Sequence, residues 1–274
     1  RALVLRLRPP GEPELRSWIS ANCIVASGGK KLVCSEEITL EARGAGLGHL
    51  PSLCRALLVP GLPTAVVLGE VPEAGDRLAR DLVRLSDRVV TWASRCGRAQ
   101  PYALARQASE QRVHVDLGWT AQEDLRSAVE ALFDGAEAEL DRVETVTATG
   151  PEGVLALGWV ASRLGGAVEG GALQGDGVRL STSRGPFRLV LDPEPDAVTV
   201  AGRVPSVFRQ VVREPSGDLR LERPSGTRRW RVPGRSGSEL LSRALLHRSK
   251  DAELDAAWDW VMRLRGTDDA ARRR

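Results

Sequence analysis

The sequence predicts an α/β protein with two lobes: a first lobe with a mixed, largely parallel sheet and helices, and an α+β lobe with an antiparallel meander and C-terminal helices. Short apolar strands alternate with helical segments at residues 50–134, which requires crossover connections and therefore parallel strands. At residues 177–232 short strands are separated only by the turns DPEPD, EPSGD and RPSGT. A chain of 274 residues can bury one large core or two smaller ones. We expect two lobes, at 1–134 and 141–266, and a disordered tail at 267–274.

The composition is that of an ordinary globular protein. Hydrophobic residues make up 42% and charged residues 27% of the chain, and no apolar run approaches the ~20 residues of a membrane span. The net charge of +3 is small and nearly all the positive residues are arginines, a bias that we attribute to genome composition, since a nucleic-acid-binding protein normally clusters its cations on one element. The histidines are isolated from the cysteines and no C-x-x-C pair occurs, so we expect no metal and no cofactor. With no recognisable leader segment, the expected location is the cytoplasm.

The chain begins with a strand, a short helix and a hairpin. Ala2–Leu7 is typical of a strand, and Pro13 suits the first turn of a helix that we expect to run to Trp18. The Gly-Gly pair at 28 and 29 predicts a tight hairpin turn. The second arm continues into EEITLEA, where apolar residues at 38, 40 and 42 alternate with polar ones, so we expect one buried and one exposed face.

Two cysteines flank this turn symmetrically. If residues 28 and 29 are its central pair, Val25 lies opposite Leu32 and Cys23 opposite Cys34, in a hydrogen-bonded pair with α-carbons ~5.5 Å apart. That distance suits a disulfide, but the β-carbons of such pairs lie farther apart than a relaxed bridge prefers, so a bond here would be easily reduced. Two interpretations stay open: a redox pair, or a small apolar row packed on the core. We favour the apolar row because the cytoplasm is reducing.

Strands and helices then alternate. Pro51 opens a helix, and the following PTAVVLG is a continuous apolar run typical of a buried strand. A helix at 77–85, the strand RVVTW, a helix after Pro101 and the strand RVHVDL follow in turn. This order predicts a parallel sheet.

Capping-box patterns mark the starts of two helices, one with Thr120 and Glu123 and the other with Ser236 and Glu239. In each pattern the two side chains satisfy each other's free backbone N–H groups. The helix that follows the second pattern is joined by a last helix, whose apolar spacing predicts that it buries Leu254, Trp258, Val261 and Met262.

The acidic segment at 135–140 indicates a linker, and the residues that follow predict a strand at 143–148. PEGVLALGWVASRLGG is apolar nearly all round and ends at Gly165. At this length it predicts a buried helix and not a membrane span.

A glycine-rich segment follows the EEITLEA strand and precedes a helix. Gly44, Gly46 and Gly48 resemble a dinucleotide fingerprint, but the third glycine of G-x-G-x-x-G should stand where His49 is found. Pro51 also interrupts the helix start that should hold the pyrophosphate. We favour a plain loop, with a nucleotide-dependent oxidoreductase kept as an alternative function.

Arginines are frequent in the meander, where they accompany Phe208 and Trp230. Two interpretations are possible. The arginines form a basic sheet face whose partner is RNA or an acidic protein, or they lie on the solvated face of an amphipathic sheet. Glu214, Asp218 and Glu222 dilute the charge, so we favour the solvated face and keep an RNA-binding module as a second alternative. The arginines concerned are Arg203, Arg209, Arg213, Arg220, Arg223, Arg228, Arg229 and Arg231.

The segment HVDLGW places Asp116 and Trp119 where a parallel strand passes into a helix. Ligands and partners of α/β sheets bind at the carboxyl ends of the strands. A tryptophan at this point can equally close the sheet edge by packing. No assembled pair of acid and base, and no G-x-S-x-G motif, indicates catalysis anywhere in the sequence.

Several segments in order resemble the glucose-6-phosphate dehydrogenase assembly protein family (OpcA) over almost the whole chain: SWISANC, KKLVCSEEITL, LPSLCRALLVPGLPTAVVL, LSDRVV, VDLGW with LRSAVEALFD, LALGWVASRLG and SELLSRALL. The family tends to read W-x-R-x-x-x-W-R near Trp119, where Trp119 and Arg126 fit while Ala121 and Leu125 differ. A tryptophan pair common in the family is replaced by Leu68 and Gly69.

The resemblance implies a non-catalytic protein that binds glucose-6-phosphate dehydrogenase, promotes its active oligomer and raises its substrate affinity, in the oxidative pentose phosphate pathway. As residues that contact the partner we predict Asp116, Trp119, Arg126 and Glu36. In cyanobacterial relatives the link responds to thiol redox state, which would fit Cys23 and Cys34. We expect this dehydrogenase as partner, and neither a membrane nor a nucleic acid.

Overall fold

The computed structural model divides the chain into two compact units, residues 1–64 with 75–87, and residues 65–74 with 88–274. The sequence-based boundary between residues 134 and 141 falls inside the second unit. The residues that the structure describes are 2–7, 12–25, 32–68, 77–92, 112–132, 134, 143–149, 153–172, 177–182, 185–192, 197–202, 209–214, 216–247 and 249–272.

A three-stranded sheet forms the first unit. Its strands are β1 (Ala2–Leu7), β2 (Glu14–Val25) and β3 (Leu32–Arg43), in the order β1-β3-β2. β1 runs parallel to β3, and β2 runs antiparallel to it. The sheet is therefore mixed, with β2 at one edge.

The structure makes residues 14–18 part of β2, so the predicted helix from Pro13 to Trp18 is wrong. β2 pairs with β3 without interruption from Glu14 opposite Arg43 to Val25 opposite Leu32. The backbone hydrogen bonds of so long a hairpin outweigh a one-turn helical signal, because an isolated short helix is marginal in water. This register is the one that the glycine pair predicts, while residues 28 and 29 themselves lie outside the described residues.

Two helices and a 3₁₀ segment cover one face of this sheet. The 3₁₀ segment is Gly44–His49, followed by α1 (Leu50–Leu57) and α2 (Arg77–Arg84). The predicted buried face of β3 is confirmed, since Ile38, Leu40 and Ala42 form a buried cluster with Leu50 and Cys54. The other face was expected to be exposed, but Thr39 on it is fully buried.

The second unit contains a small parallel sheet of β4 (Ala65–Val67), β5 (Arg88–Thr91) and β6 (Val113–Asp116), in that order. The predicted parallel pairing is confirmed. β4 was expected to be buried, but Ala65 and Val67 are exposed because β4 lies at an edge of this sheet. The helix expected after Pro101 lies outside the described residues.

Helices α3 (Leu117–Ala121) and α4 (Glu123–Leu132) follow β6. Thr120 lies inside α3 and its hydroxyl donates to the carbonyl of Asp116 (3.0 Å), so it is not the N-cap that the capping-box pattern predicted. The chain is already helical when it reaches Thr120. One face of α4 packs into the core, with Leu125, Ala128, Val129 and Leu132 buried.

An eight-stranded sheet dominates the second unit, in the order β14-β13-β12-β11-β7-β10-β9-β8. β7 and β10 are parallel, and the other neighbours are antiparallel. The predicted meander thus forms two antiparallel parts with β7 between them, and β8 is an additional strand. The strands are β7 (Val143–Thr149), β8 (Ala167–Ala172), β9 (Gly177–Thr182), β10 (Gly185–Asp192), β11 (Ala197–Gly202), β12 (Arg209–Arg213), β13 (Leu219–Arg223) and β14 (Gly226–Trp230).

Three further helices complete the second unit: α5 (Gly153–Leu164), α6 (Gly237–Leu246) and α7 (Ala252–Arg272). α5 is buried on nearly all sides, as predicted. A β-carbon at Gly158 would lie 2.5 Å from the carbonyl oxygen of Ala257, so α5 and α7 approach each other at a residue that must be small.

The carboxyl-terminal helices agree with the sequence in part. The capping box of Ser236 and Glu239 is confirmed. Met262 was expected in the core, but 37% of its surface is exposed because it lies on the outer side of α7. α7 extends to Arg272, so residues 267–272 are helical where a disordered tail was expected. Two alanines near this end favour the continued helix.

Candidate functional site

The candidate site lies in the second unit at the carboxyl ends of β5 and β6. Asp116, the last residue of β6, has extended backbone angles and caps the next helix. Its Oδ1 accepts a hydrogen bond from the backbone N–H of Trp119 (3.1 Å). Such an N-cap satisfies one of the free donors at a helix start and fixes where α3 begins.

A chain of hydrogen bonds connects β5 to β6 beneath this cap. The Thr91 hydroxyl donates to Oδ2 of Asp116 (2.7 Å), and its oxygen lies 2.9 Å from Nε2 of His114. Because the hydroxyl proton goes to the carboxylate, Nε2 of His114 must carry the proton that it donates to Thr91. Burial lowers the pKa of His114 to about 4, so the imidazole is neutral near pH 7.

The two faces of the small parallel sheet have different neighbours. His114 lies next to the ring of Trp258 in α7, with 6.2 Å between ring centroids and 38° between the ring planes. On the opposite face, Val90 and Val115 pack with Leu240 and Ala244 of α6. The polar chain is therefore enclosed between strands and helices, with Thr91, His114 and Asp116 all buried.

Trp119 connects the cap to α7. Its indole Nε1 donates to Oδ2 of Asp251 (2.9 Å). The other carboxylate oxygen of Asp251 accepts from the backbone N–H groups of Glu253 and Leu254 (3.0 Å each), at the start of α7. One carboxylate thus joins the starts of α3 and α7.

The guanidinium of Arg126 stacks on the ring of Trp119, 3.4 Å from its centroid, and donates to the Trp119 carbonyl (2.6 Å). A cation over an indole face is a favourable arrangement that strengthens when water is excluded. Burial lowers the pKa of Arg126 to about 10, although Asp251 and three glutamates oppose that shift, so the side chain stays charged at neutral pH.

Ion pairs surround this core on the protein surface. Arg163 of α5 bridges Glu130 (2.9 Å) and Glu253 (2.8 Å), and Arg243 of α6 pairs with Glu123 (2.9 Å). Arg235 pairs with Glu123 and Asp124 at 3.2 and 3.1 Å. Carboxylates of α4 are thereby tied to several neighbouring elements.

The structure brings together three of the four residues proposed for partner binding. Asp116 and Trp119 are buried and Arg126 is partly buried, so the first two can influence a partner only by positioning what lies above them. Glu36 lies in the first unit, on β3 opposite Ala21, and is partly buried. We name Asp116, Trp119, Arg126 and Asp251 the Trp119 cluster.

Thr91, His114 and Asp251 were not singled out from the sequence. His114 and Asp116 alternate along one strand and therefore share a face, which was a usable signal. Asp251 stands before an acidic helix start, but its contact with Trp119 joins residues far apart in the chain. Only the tertiary structure shows that contact.

Cys23 lies opposite Cys34 in the register of β2 and β3, as predicted. Cys23 is exposed and disulfide-bonded, so it does not belong to a buried apolar row. The side chain of Cys34 lies outside the described residues. Burial raises the pKa of Cys54, which is a core thiol.

The glycine-rich segment has a packing role in the first unit. A β-carbon at Gly46 would lie 2.7 Å from the carbonyl oxygen of Glu14 in β2, whereas one at Gly48 would meet nothing within 4 Å. Gly46 therefore allows the 3₁₀ segment to lie against β2. This contact explains the glycine without a nucleotide.

Several arginines of the meander serve the fold. Arg209 Nε donates to the carbonyl of Leu132 (2.8 Å), and Arg223 donates to that of Ala131, so both bind the free carbonyls at the end of α4. Arg220 and Arg229 pair with Glu214 and Glu222. Arg228 and Arg231 are exposed, and Arg203 and Phe208 lie outside the described residues.

Within the described residues, no group of three or more His, Cys, Asp or Glu side chains is placed to hold a metal ion. No described helix combines the length and apolarity that crossing a membrane requires.

Two family models match the chain. Residues 1–109 match the glucose-6-phosphate dehydrogenase subunit N-terminal domain, and residues 112–258 match the C-terminal domain of the same subunit. No curated protein matches the chain.

The solved structures that match this chain include dehydrogenases of low sequence identity to it. A putative oxidoreductase from Thermotoga maritima has 11% identity, coverage of 77% of this chain and 80% of that chain, and a TM-score of 0.46. The 3-ketoreductase KijD10 from Actinomadura kijaniata has 14% identity, coverage of 79% and 80%, and a TM-score of 0.45. An inositol dehydrogenase homolog from Azotobacter vinelandii has 14% identity, coverage of 82% and 72%, and a TM-score of 0.42. Likeness at this level assigns no activity.

Proposed function

The chain belongs to the glucose-6-phosphate dehydrogenase assembly protein family (OpcA), and from this premise we propose that it is a non-catalytic subunit that activates its dehydrogenase. It binds glucose-6-phosphate dehydrogenase in the cytoplasm and favours the enzyme's active state of high substrate affinity. The observation that carries the proposal is the match of both family domains over nearly the whole chain.

The organisation of the Trp119 cluster supports a binding role. Its polar groups are used in capping and stacking: Asp116 caps α3, Asp251 caps α7 and Arg126 stacks on Trp119. Groups bound in this way fix the relative positions of helices, which is what an interaction surface requires. Surface complementarity, and no chemical step, then accounts for the effect on the enzyme.

Activation is a coupling free energy between two binding events. A subunit that binds the high-affinity state of the enzyme more tightly than the low-affinity state shifts the population towards the former. Such couplings are typically about 1 to 3 kcal/mol, or about 5- to 150-fold in affinity. By reciprocity, glucose 6-phosphate should tighten the binding of this chain to the enzyme by the same factor.

We further propose a division of labour among the four partner-binding residues. Asp116 and Trp119 position α3 and α4 from the interior, while Arg126 and Glu36, both partly exposed, contribute to the surfaces that the enzyme meets. The charged residues of α4 lie around the first of these surfaces.

Steady-state kinetics of the cognate dehydrogenase with and without this chain tests the proposal. We expect a lower KM for glucose 6-phosphate and co-elution of the two proteins. Arg126→Lys keeps the charge but loses the planar stacking on Trp119, so it should weaken the activation. Arg179→Lys, at an exposed arginine of β9, is the matched control and should activate normally. Unchanged KM and kcat together with separate elution would contradict the proposal.

For Cys23 and Cys34 we propose a redox-responsive pair. Cross-strand adjacency and the exposure of Cys23 support this role, since a thiol must be reachable to exchange. Thiols are counted with and without a mild reductant. In the parent chain the reductant should release two rapidly reacting thiols, and in the Cys34→Ser variant it should release fewer. Activation of the dehydrogenase that stays the same in both redox states would contradict the regulatory part of this proposal.

A further inference from the structure

β2 is an edge strand with exposed apolar side chains. Leu15, Trp18 and Ile19 expose 45%, 39% and 65% of their surface. One side of the β2 backbone pairs with β3, and no described strand pairs with the other side. An edge of this kind presents free backbone donors and acceptors to another chain.

The apolar face of the sheet continues onto β2. Leu15 lies opposite Ala42 and Ile19 opposite Ile38, and cross-strand neighbours point to the same face. Ile38 and Ala42 are buried in the core of the first unit. Leu15 and Ile19 extend that same face to the sheet edge, where they are left exposed.

β2 lacks the features that usually protect an edge. Its pairing with β3 spans twelve residues without a bulge, and Pro13 precedes the strand instead of interrupting it. Its two charged residues lie at one end and pair with each other, Arg16 Nε donating to Glu14 (2.6 Å). Residues 17–25, SWISANCIV, carry no charge. Short length, bulges, proline and charge are the common protections, and this strand has none of them along most of its length.

We propose that β2 is an interface between two copies of this chain, in which the two β2 strands pair antiparallel about a twofold axis perpendicular to the sheet. Such an axis keeps the same face of both sheets on the same side, so the Leu15 and Ile19 side chains of both copies form one row. The residues of β2 on that face are uncharged, namely Leu15, Ser17, Ile19, Ala21 and Cys23.

The edge of β2 is suited to pair with the same edge of a second copy of this chain, because the strand is complementary to itself. An isologous contact requires one patch that fits itself, and an uncharged alternating strand opposes no like charges when it pairs with itself. Pairing would join two three-stranded sheets into one continuous sheet and cover the β2 edge of each copy. It would also place two dehydrogenase-binding surfaces on one particle, which raises the effective concentration for assembly.

Sedimentation velocity of the purified chain tests this proposal without the dehydrogenase. We expect a concentration-dependent dimer. Ile19→Lys places a charge in the apolar row and should weaken the dimer at least about tenfold, since a lysine on an edge opposes pairing. Ile19→Thr keeps a β-branched side chain and should have a smaller effect in the same direction. Leu246→Lys, at a leucine that is 74% exposed at the end of α6, is the control and should dimerise like the parent.

Hydrogen exchange gives an independent measurement. The backbone amides of β2 that point away from β3 should be protected from exchange in the parent chain and should exchange faster in Ile19→Lys. The exchange of the β1 amides should be the same in both. A parent chain that remains monomeric, or an Ile19→Lys variant that dimerises as tightly as the parent, would overturn the proposal. A monomeric parent whose Ile19→Lys variant loses dehydrogenase binding would overturn it too, and would assign the edge to a strand of the enzyme.

Discussion

The two units differ in how completely they cover their apolar side chains. In the second unit the large sheet, α4, α5 and α7 enclose one continuous core that includes Trp119, Trp159 and Trp258. In the first unit the buried cluster is small, and the apolar face of its sheet runs out to exposed residues on β2. A face left uncovered inside one chain is available to another. The larger core therefore lies in the second unit, and the exposed apolar side chains of β2 lie in the first.

The units also differ in their polar interior. The second unit buries a connected chain from His114 through Thr91 to Asp116, next to the Trp119 cluster. Buried polar groups that are hydrogen-bonded specify one arrangement of their elements, because other arrangements leave them unpaired. The second unit thereby holds α3, α4 and α7 in fixed positions.

The largest effect should come from the core of the second unit. Trp258 is fully buried, and Trp258→Ala should lower the free energy of unfolding by about 3 to 5 kcal/mol through lost burial and the cavity left behind. Met262→Ala on the same helix, at an exposed residue, should change it by less than about 0.5 kcal/mol. Denaturant unfolding followed by tryptophan fluorescence measures both, and equal effects would contradict the described core.

A matched glycine pair tests the packing of the first unit. Gly46→Ala forces a β-carbon against the Glu14 carbonyl and should cost about 1 to 3 kcal/mol, because β2 or the 3₁₀ segment has to shift. Gly48→Ala meets open space and should be nearly neutral. In Gly46→Ala, hydrogen exchange measured for each segment should show reduced protection of the backbone amides of β2 and unchanged protection of those of α5. A more costly Gly48→Ala would show that Gly46 does not pack as described.

The buried histidine predicts a pH dependence of the second unit. In the unfolded chain a histidine takes up a proton below about pH 6.5, whereas folded His114 stays neutral down to about 4. The free energy of unfolding should therefore fall as the pH drops from 6.5 towards 4, by about 1.4 kcal/mol per pH unit within that window. Denaturant unfolding at several pH values measures the slope.

His114→Gln should remove this slope, and His49→Gln, at an exposed histidine of the first unit, should leave it in place. Retention of the full slope in His114→Gln would assign it to other groups.

The smallest effect should come from the surface ion pairs. Arg163 pairs with Glu130 and Glu253, and all three side chains are about half exposed, so Arg163→Ala should cost less than about 1 kcal/mol. The cost should shrink in high salt, which screens exposed charges. A cost as large as that of Trp258→Ala would show that these pairs, and not the apolar core, hold α4 in place.

Local patterns predicted most elements of the fold. The strands β1, β5, β6 and β7, the helices α2 and α5, and the capping box of α6 were all read from periodicity and end signals. In two wrong predictions a local signal was overridden by the structure around it. Residues 14–18 carry a weak helical signal that pairing with β3 overrides, and Thr120 carries a cap signal although the chain is already helical there.

The candidate site was predictable only in part. The position of Asp116 and Trp119 at the end of a strand followed from the order of elements. Their burial did not follow, because Trp119 packs at the start of α7 through Asp251, which comes from far along the chain. The predicted register of Cys23 with Cys34 was correct, while the expected burial of Cys23 was not.

The sequence by itself determined the class of fold, the parallel pairing of the small sheet, the register of β2 with β3 and the resemblance to the assembly family. These follow from short-range physics: side-chain periodicity, backbone preferences at glycine and proline, and capping. Only the tertiary structure decided that β7 lies between β10 and β11, that Asp251 binds Trp119 and that β2 is an open edge. Each of these depends on which distant segments come together, and local preferences carry no information on that choice.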